Sequence, residues 1–128
     1  MRKTFFYLKK GNQYFPIIQV GLKNRGREIR VNALVDSGAS FSVFRSEIAD
    51  YLGISLEKGK RIYLTGLGGR ILGYLHILQM EVDGEKFRCK IIFSEELTIS
   101  FNLLGRDNFF LPFLITFSEK KKKLVLKN

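Results

Sequence analysis

Ala-Leu-Val-Asp-Ser-Gly-Ala-Ser, residues 33–40, is the stretch of this sequence that decides the fold. Three apolar residues end a strand, and Asp36 follows at once with small residues behind it. A carboxylate at the end of a buried strand, beside a hydroxyl and a glycine, is suited to holding a reactive water. The motif occurs once, whereas this chemistry needs two carboxylates. The sequence therefore predicts a half-site that a second copy of the chain completes.

The segments around this stretch have the pattern of strands. Ile29, Val31, Ala33 and Val35 share one face by the two-residue period of a strand. Residues 14–22 alternate well enough to form the partner strand across a polar turn, so an antiparallel hairpin delivers Asp36 at its end. Further apolar runs that predict strands are 62–64, 71–82, 86–93, 99–104, 113–117 and 124–126.

Two short segments favour helix. Ser46 is predicted to be the N-cap of a helix that Gly53 terminates, and a second short helix is expected after Gly105, stopped near Pro112. The 128 residues suit one domain, 1–128. The predicted class is all-β, a mainly antiparallel closed or partly open barrel with one or two short helices.

The charge balance is strongly basic, with 22 Lys and Arg against 12 Asp and Glu and a formal net charge of +10. The cationic residues are dispersed, and the one dense run, 120–123, lies between two apolar segments where a solvated hairpin turn is expected. No nucleic-acid motif accompanies them, so nucleic acid is disfavoured as a partner. No apolar run approaches the roughly 20 residues of a membrane span.

The residue types that bind metals or form disulfides are scarce. Cys89 is the single cysteine, which excludes an intrachain disulfide and makes a reducing cytoplasm the default compartment. We expect Cys89 to be an inert, packed strand residue. His76 is the single histidine, so neither a metal site nor a catalytic triad is expected, and no cofactor is predicted.

Two further motifs follow the Asp36 stretch at intervals of roughly thirty residues. Thr-Gly-Leu-Gly-Gly, residues 65–69, is the glycine-rich tip of a long predicted hairpin, about 60–78. Leu-Leu-Gly-Arg-Asp, residues 103–107, ends the 99–104 strand. The three motifs together are far more specific than Asp-Ser-Gly alone, which is ordinary turn composition.

With these motifs in this order, residues 12–118 resemble the retropepsin family, the single-lobe aspartic proteases. The resemblance implies a homodimeric aspartic endopeptidase that hydrolyses peptide or unfolded protein substrates. Its catalytic residue would be Asp36, one from each subunit. One proton would be shared between the two carboxylates, because both cannot ionise comfortably at close range. The ionised carboxylate would activate a water, and the protonated one would bind the scissile carbonyl.

The resemblance also implies roles for the neighbouring residues. Ser37, Gly38 and Ala39 would support the active-site loop, with the Ser37 hydroxyl reaching across the dimer. The flap tip that closes over substrate would be Gly66, Leu67, Gly68 and Gly69, with the Leu67 amide binding substrate carbonyls. Structural support would come from Gly105, Arg106 and Asp107.

The sequence departs from the family pattern at Ser40. Retroviral enzymes usually carry an acid there, which pairs with the arginine of the later motif. Arg106 must therefore find another partner: Asp107, a backbone carbonyl or a residue of the other subunit. Whether residues 121–128 pair with the 113–117 strand or interleave with a second chain is left open by the sequence.

Two other functions stay open at this point. The same fold could be a catalytically weak or inactive peptide-binding module. The net charge of +10 motivates a basic nucleic-acid-binding β domain as the second, less favoured alternative.

Overall fold

The computed structural model describes residues 1–66 and 69–128. Leu67 and Gly68, two of the predicted flap residues, lie outside the described residues. The strands are β1 (Arg2–Phe6), β2 (Leu8–Lys10), β3 (Gln13–Phe15), β4 (Ile17–Asn24), β5 (Arg27–Val35), β6 (Ser42–Arg45), β7 (Lys60–Gly66), β8 (Gly69–Val82), β9 (Glu85–Ser94), β10 (Asn102–Leu104), β11 (Leu114–Ser118) and β12 (Lys123–Lys127). An α-helix, α1 (Ser46–Tyr51), and one 3-10 turn, Leu56–Lys58, follow β6.

Seven strands form a sheet in the order β4-β5-β10-β6-β9-β8-β7, and β4 also pairs with β8. The β4–β8 pairing closes six of these strands into a barrel, with β7 outside it on β8. Most neighbours are antiparallel, and β5–β10 and β6–β9 are parallel. The predicted all-β, mainly antiparallel barrel is confirmed.

The predicted hairpin before Asp36 is formed by β4 and β5, paired from Ile17↔Leu34 to Asn24↔Arg27. The first strand begins at Ile17 and not at residue 14, because Gln13–Phe15 pairs with β2 and Pro16 separates the two. Alternate residues of β4 and β5 fill the barrel interior, as the two-residue period requires. Val20, Ala33 and Val35 are among these buried residues.

The helix α1 is one residue longer at its start than predicted. Ser46 is the first helical residue, and the N-cap is Arg45, which is extended and has no side-chain cap hydrogen bond. The prediction of Ser46 as N-cap is therefore wrong, because β6 passes directly into the helix. Gly53 terminates the helix as expected, with φ +72 and its N–H donating to the Asp50 carbonyl.

The two ends of the chain form a separate three-stranded sheet, β1-β12-β11. β12 is its central strand, antiparallel to β1 on one edge and to β11 on the other. The Met1 amine donates to Asn128 Oδ1 at 2.9 Å, and the Asn128 N–H donates to the Met1 carbonyl at 3.1 Å. Residues 121–128 thus pair with β11, one of the two arrangements left open by the sequence, and with β1 of the same chain as well.

Cys89 is buried in β9 with no exposed surface. Burial is the main cause that raises the pKa of its thiol to about 12, which the nearby Asp107 carboxylate reinforces and a Ser42 hydrogen bond opposes. The thiolate is the reactive form. At neutral pH the Cys89 side chain therefore stays protonated and does not supply the reactive thiolate.

We expect Cys89 to resist a disulfide reagent at pH 8 in the folded protein and to react fully in denaturant. Because the thiol pKa is about 12 when folded and near 9.0 when unfolded, the unfolded chain loses its proton first. The free energy of unfolding should therefore fall as pH rises through this interval. Rapid labelling of the folded protein would contradict the burial of this side chain.

Within residues 1–66 and 69–128, none of the helices has the length and apolar composition to cross a membrane.

Candidate active site

Asp36 lies where β5 leaves the barrel. Its N–H donates to the Leu104 carbonyl at 3.0 Å, which holds the ends of the parallel strands β5 and β10 side by side. Asp36 is half-buried, and Gly38 N–H donates to its Oδ1 at 2.9 Å. Oδ2 has no hydrogen-bond partner among the described residues. The carboxylate thus has one oxygen fixed by the loop and the other available.

The loop that carries Asp36 is tight and open on its outer side. Ala39 N–H donates to the Asp36 carbonyl at 3.1 Å, which closes the turn. A Cβ on Gly38 would lie 3.2 Å from Asp36 Oδ1, so a side chain there would press on the carboxylate. Ser37, Gly38 and Ser40 are exposed. The loop therefore presents its carboxylate and the Ser37 hydroxyl toward open space.

The 105–107 segment lies directly behind this loop. Arg106 N–H donates to the Ala39 carbonyl at 2.9 Å, and Asp107 N–H donates to the Ser40 carbonyl at 2.8 Å. A Cβ on Gly105 would lie under 3.0 Å from the backbone C, O and N of Phe41. Gly105 therefore permits a contact between two backbones that any side chain would prevent.

The helix predicted after Gly105 does not form, and this prediction is wrong. The segment is instead a series of turns, with Leu111 N–H on the Asn108 carbonyl and Phe113 N–H on the Phe110 carbonyl. Its first two N–H groups already donate to the Asp36 loop. The Asn108 side chain accepts from Lys90 N–H at 2.8 Å and donates to the Arg88 carbonyl at 3.0 Å. These contacts hold the segment against β9 and the loop in place of helical bonds.

Asp107 is not the partner of Arg106. Lys90 Nζ lies 3.4 Å from Asp107 Oδ1, and both side chains are nearly half exposed. Arg106 is exposed, and its guanidinium makes neither an ion pair nor a hydrogen bond within the described part of the chain. Its backbone, and not its side chain, joins the segment to the loop.

An open groove of about 520 Å³ lies beside the loop. It is lined by Ser40, Arg106, Asp107, Phe110 and Leu111. One cation, one carboxylate and two large apolar side chains therefore line the same groove, together with Ser40, which follows Asp36 by four residues.

The predicted flap residues that the structure describes, Gly66 and Gly69, pair with each other at the end of the β7–β8 hairpin. Leu67 and Gly68 lie between them, outside the described residues. No hydrogen bond among the described residues joins this hairpin tip to the Asp36 loop. The structure thus brings residues 36–40 and 105–107 together.

Three polar residues that sequence reasoning did not single out hold the two loops: Ser42, Asn102 and Asn108. Ser42 Oγ accepts from Gly105 N–H at 3.0 Å. Asn102 accepts from Arg45 N–H and donates to the Asn32 carbonyl, each at 3.1 Å, so it joins β6 and β5 across β10. For Ser42 and Asn102 the signal was a polar residue beside apolar neighbours in a strand, because a buried polar side chain requires hydrogen-bond partners.

Replacing Ser42 with alanine should lower the free energy of unfolding by about 1–3 kcal/mol, because the buried Gly105 N–H loses its acceptor. Urea unfolding measures this change. Ser118→Ala is the matched control, since its hydroxyl accepts one long, exposed bond of 3.4 Å from Lys121 N–H. Equal effects of the two substitutions would argue against a special role for the Ser42 contact.

No group of three or more His, Cys, Asp or Glu among residues 1–66 and 69–128 is arranged to hold a metal ion. The charged groups near the loop are instead the half-buried Asp36 carboxylate and, on the adjoining 105–107 segment, the exposed Arg106 and the Asp107 carboxylate that contacts Lys90.

A similar fold is found in a retropepsin-like aspartic protease from Rickettsia conorii, which is 22% identical in sequence. The match has a TM-score of 0.73 and covers 98% of each chain. EIAV protease, solved with the inhibitor HBY-793, matches at a TM-score of 0.57 and 19% identity, over 78% of this chain and 89% of that chain. The fold is therefore retropepsin-like, which confirms the resemblance drawn from the three motifs.

The family model described as aspartyl protease matches residues 20–107. This is more than half of the sequence, and the chain belongs to the aspartyl protease family. No curated protein matches the sequence significantly.

Proposed function

We propose that this chain is one subunit of a homodimeric aspartic endopeptidase. The observation that carries the proposal is the Asp36 loop: a half-buried carboxylate with one oxygen held by Gly38 N–H and the other available. The loop occurs once per chain, and its outer side, Ser37 and Gly38, is exposed. A second copy related by a twofold axis would bring a second Asp36 to the same place.

The chemistry follows from two carboxylates at close range. They share one proton, because like charges at this separation cannot both ionise comfortably. The ionised Asp36 accepts a proton from a water as the water attacks the scissile carbonyl carbon. The protonated Asp36 donates a hydrogen bond to the carbonyl oxygen, where negative charge develops. The second proton transfer, to the amide nitrogen, completes cleavage.

The β7–β8 hairpin is the element we assign as the flap. It extends from the barrel through Gly66 and Gly69, and β7 pairs along its full length with residues 69–75 of β8, from Lys60↔Leu75 to Gly66↔Gly69. A paired hairpin with a glycine-rich end can swing as a unit over a bound peptide and exclude water from the carboxylates. The substrate class is a peptide or an unfolded protein segment, since an extended chain fits under such a hairpin.

The test is hydrolysis of an unfolded protein by purified wild type at mildly acidic pH, set against Asp36→Asn. Wild-type cleavage that the substitution removes supports the endopeptidase. If both proteins bind the substrate and neither cleaves it between about pH 3 and 7, the chain is a peptide-binding module and the proposal is wrong.

A further inference from the structure

The terminal sheet has no vacant edge on its central strand. β12 is bonded along one edge to β1, from Arg2↔Lys127 to Phe6↔Lys123, and along the other to β11, from Leu114↔Lys127 to Ser118↔Lys123. A second chain could add a strand beside β12 only by displacing β1 or β11. The pairing of Met1 with Asn128 strengthens the bond between β1 and β12 within one chain.

Two highly exposed apolar side chains follow the 105–107 segment along the chain. Leu111 is 76% exposed and Leu114 is 69% exposed. We call these two side chains, together with the partly buried Phe110, the 110–114 patch. Leu111 and Phe110 line the groove that Ser40 and Arg106 share, and Asp107 N–H bonds the Ser40 carbonyl at 2.8 Å. The patch is therefore continuous with the Asp36 loop.

We propose that two copies of this chain contact each other through the 110–114 patch, with β1 and β12 paired within each copy. This inference rests on the proposed function, because a second Asp36 is needed to complete the site. The twofold axis of the dimer must then pass beside the Asp36 loop. A surface adjoining the loop is then covered by the partner. Apolar side chains on that surface supply the contact.

The charges of the groove suit a second copy. Each chain carries a formal net charge of +10, so two copies repel at long range and associate only where the contact is apolar or of mixed sign. The groove offers Arg106 and Asp107, one charge of each sign. In a twofold contact the same patch lies on both sides, so each cation can face the other copy's carboxylate. Asp107 lies 3.4 Å from Lys90 Nζ in its own chain, and its side chain is 45% exposed, so it has room to accept from the Arg106 guanidinium of the other copy as well.

The experiment compares the solution mass of three proteins. They are the wild type, the double variant that carries both Leu111→Glu and Leu114→Glu, and the single variant Phe6→Glu. We expect wild type to be a dimer and the double variant to dissociate, with the dissociation constant raised at least about tenfold. Phe6 is the matched control: it is 75% exposed and lies at the end of the terminal sheet remote from Leu114. Phe6→Glu should leave the mass unchanged. Added acids reduce the net positive charge, so dissociation would not arise from overall repulsion.

A cysteine pair tests the position of β1. Thr4 and Val125 are directly opposite on β1 and β12. After oxidation of Thr4→Cys with Val125→Cys, a denaturing gel without reductant should show a single-chain mass, because both cysteines belong to one chain. A covalent dimer would show that β1 is exchanged between copies and would overturn the proposal.

The remaining outcomes separate the contact from the chemistry. A double variant that stays dimeric, or dissociation caused by Phe6→Glu, would overturn the 110–114 contact while leaving a peptidase activity intact. A wild-type dimer that dissociates as expected but cleaves nothing would support the contact and contradict the proposed function. A wild type that is monomeric at its highest soluble concentration would overturn both.

Discussion

Asp36→Asn should reduce peptide-bond hydrolysis by roughly 10³-fold or more, since a positioned proton acceptor contributes about 10²–10⁴ to rate and the substitution removes the acceptor that we propose. The measurement is the initial rate of cleavage of a fluorogenic peptide, with protein concentration and pH fixed. The asparagine side chain has nearly the shape of aspartate, and its Oδ1 still accepts the Gly38 N–H that Asp36 accepts at 2.9 Å. The variant should therefore fold and keep its solution mass.

The matched control is Asp50→Asn, which removes a carboxylate from the exposed face of α1. It should retain the wild-type rate, because Asp50 is outside the loop that surrounds Asp36. Should Asp36→Asn keep more than about a tenth of the wild-type rate, the reacting carboxylate must belong to another residue.

Gly105→Ala should lower the free energy of unfolding by about 1–3 kcal/mol or more, as overpacking of a closed contact does. The added Cβ would lie under 3.0 Å from three backbone atoms of Phe41, and backbone cannot rotate away as a side chain can. Phe41 follows the Asp36 loop directly, so its displacement also moves the Ala39 and Ser40 carbonyls that accept from Arg106 and Asp107. The free energy of unfolding measured in urea and the cleavage rate should both fall.

Gly21→Ala is the control for a glycine in a strand of the same barrel. The nearest atom to its added Cβ would be Glu81 Cβ at 3.7 Å, an ordinary van der Waals distance. Alanine costs less backbone entropy than glycine in a strand, so stability should hold or rise slightly. A Gly105→Ala protein as stable as Gly21→Ala would show that the 105–107 segment can move away from the loop without cost.

The parts of the fold that depend on local pattern could be read from the sequence. The two-residue period of Ile29, Val31, Ala33 and Val35 predicts β5 and the burial of its inner face, and β5 places Asp36. The polar turn predicted at 23–27 joins β4 and β5 in the structure. These features are set by neighbouring residues, which is why periodicity finds them.

The features that sequence reasoning missed depend on contacts between distant residues. The 106–112 segment has helix-compatible composition, but its N–H groups donate to Ala39 and Ser40 more than sixty residues earlier in the chain. The Ser42–Gly105 bond spans 63 residues, and the two Asn102 bonds span 57 and 70. The local sequence pattern does not predict which backbone group a buried polar side chain will hydrogen-bond in the folded protein. The family resemblance located Gly105 and Arg106 beside the loop, and the Arg106 N–H donates to the Ala39 carbonyl there.

The pairing of β1 with β12 has a consequence for the order of folding. In this sheet the Met1 amine donates a hydrogen bond to Asn128, which lies 127 positions along the sequence. Long-range pairs of this kind incur the largest loop-closure entropy and tend to form late. During synthesis at about 5–20 residues per second, β1 leaves the ribosome roughly 6–25 s before its partner strand exists. The barrel that holds Asp36 can close in that interval, and β1 has to wait for its strand partner until β12 is released.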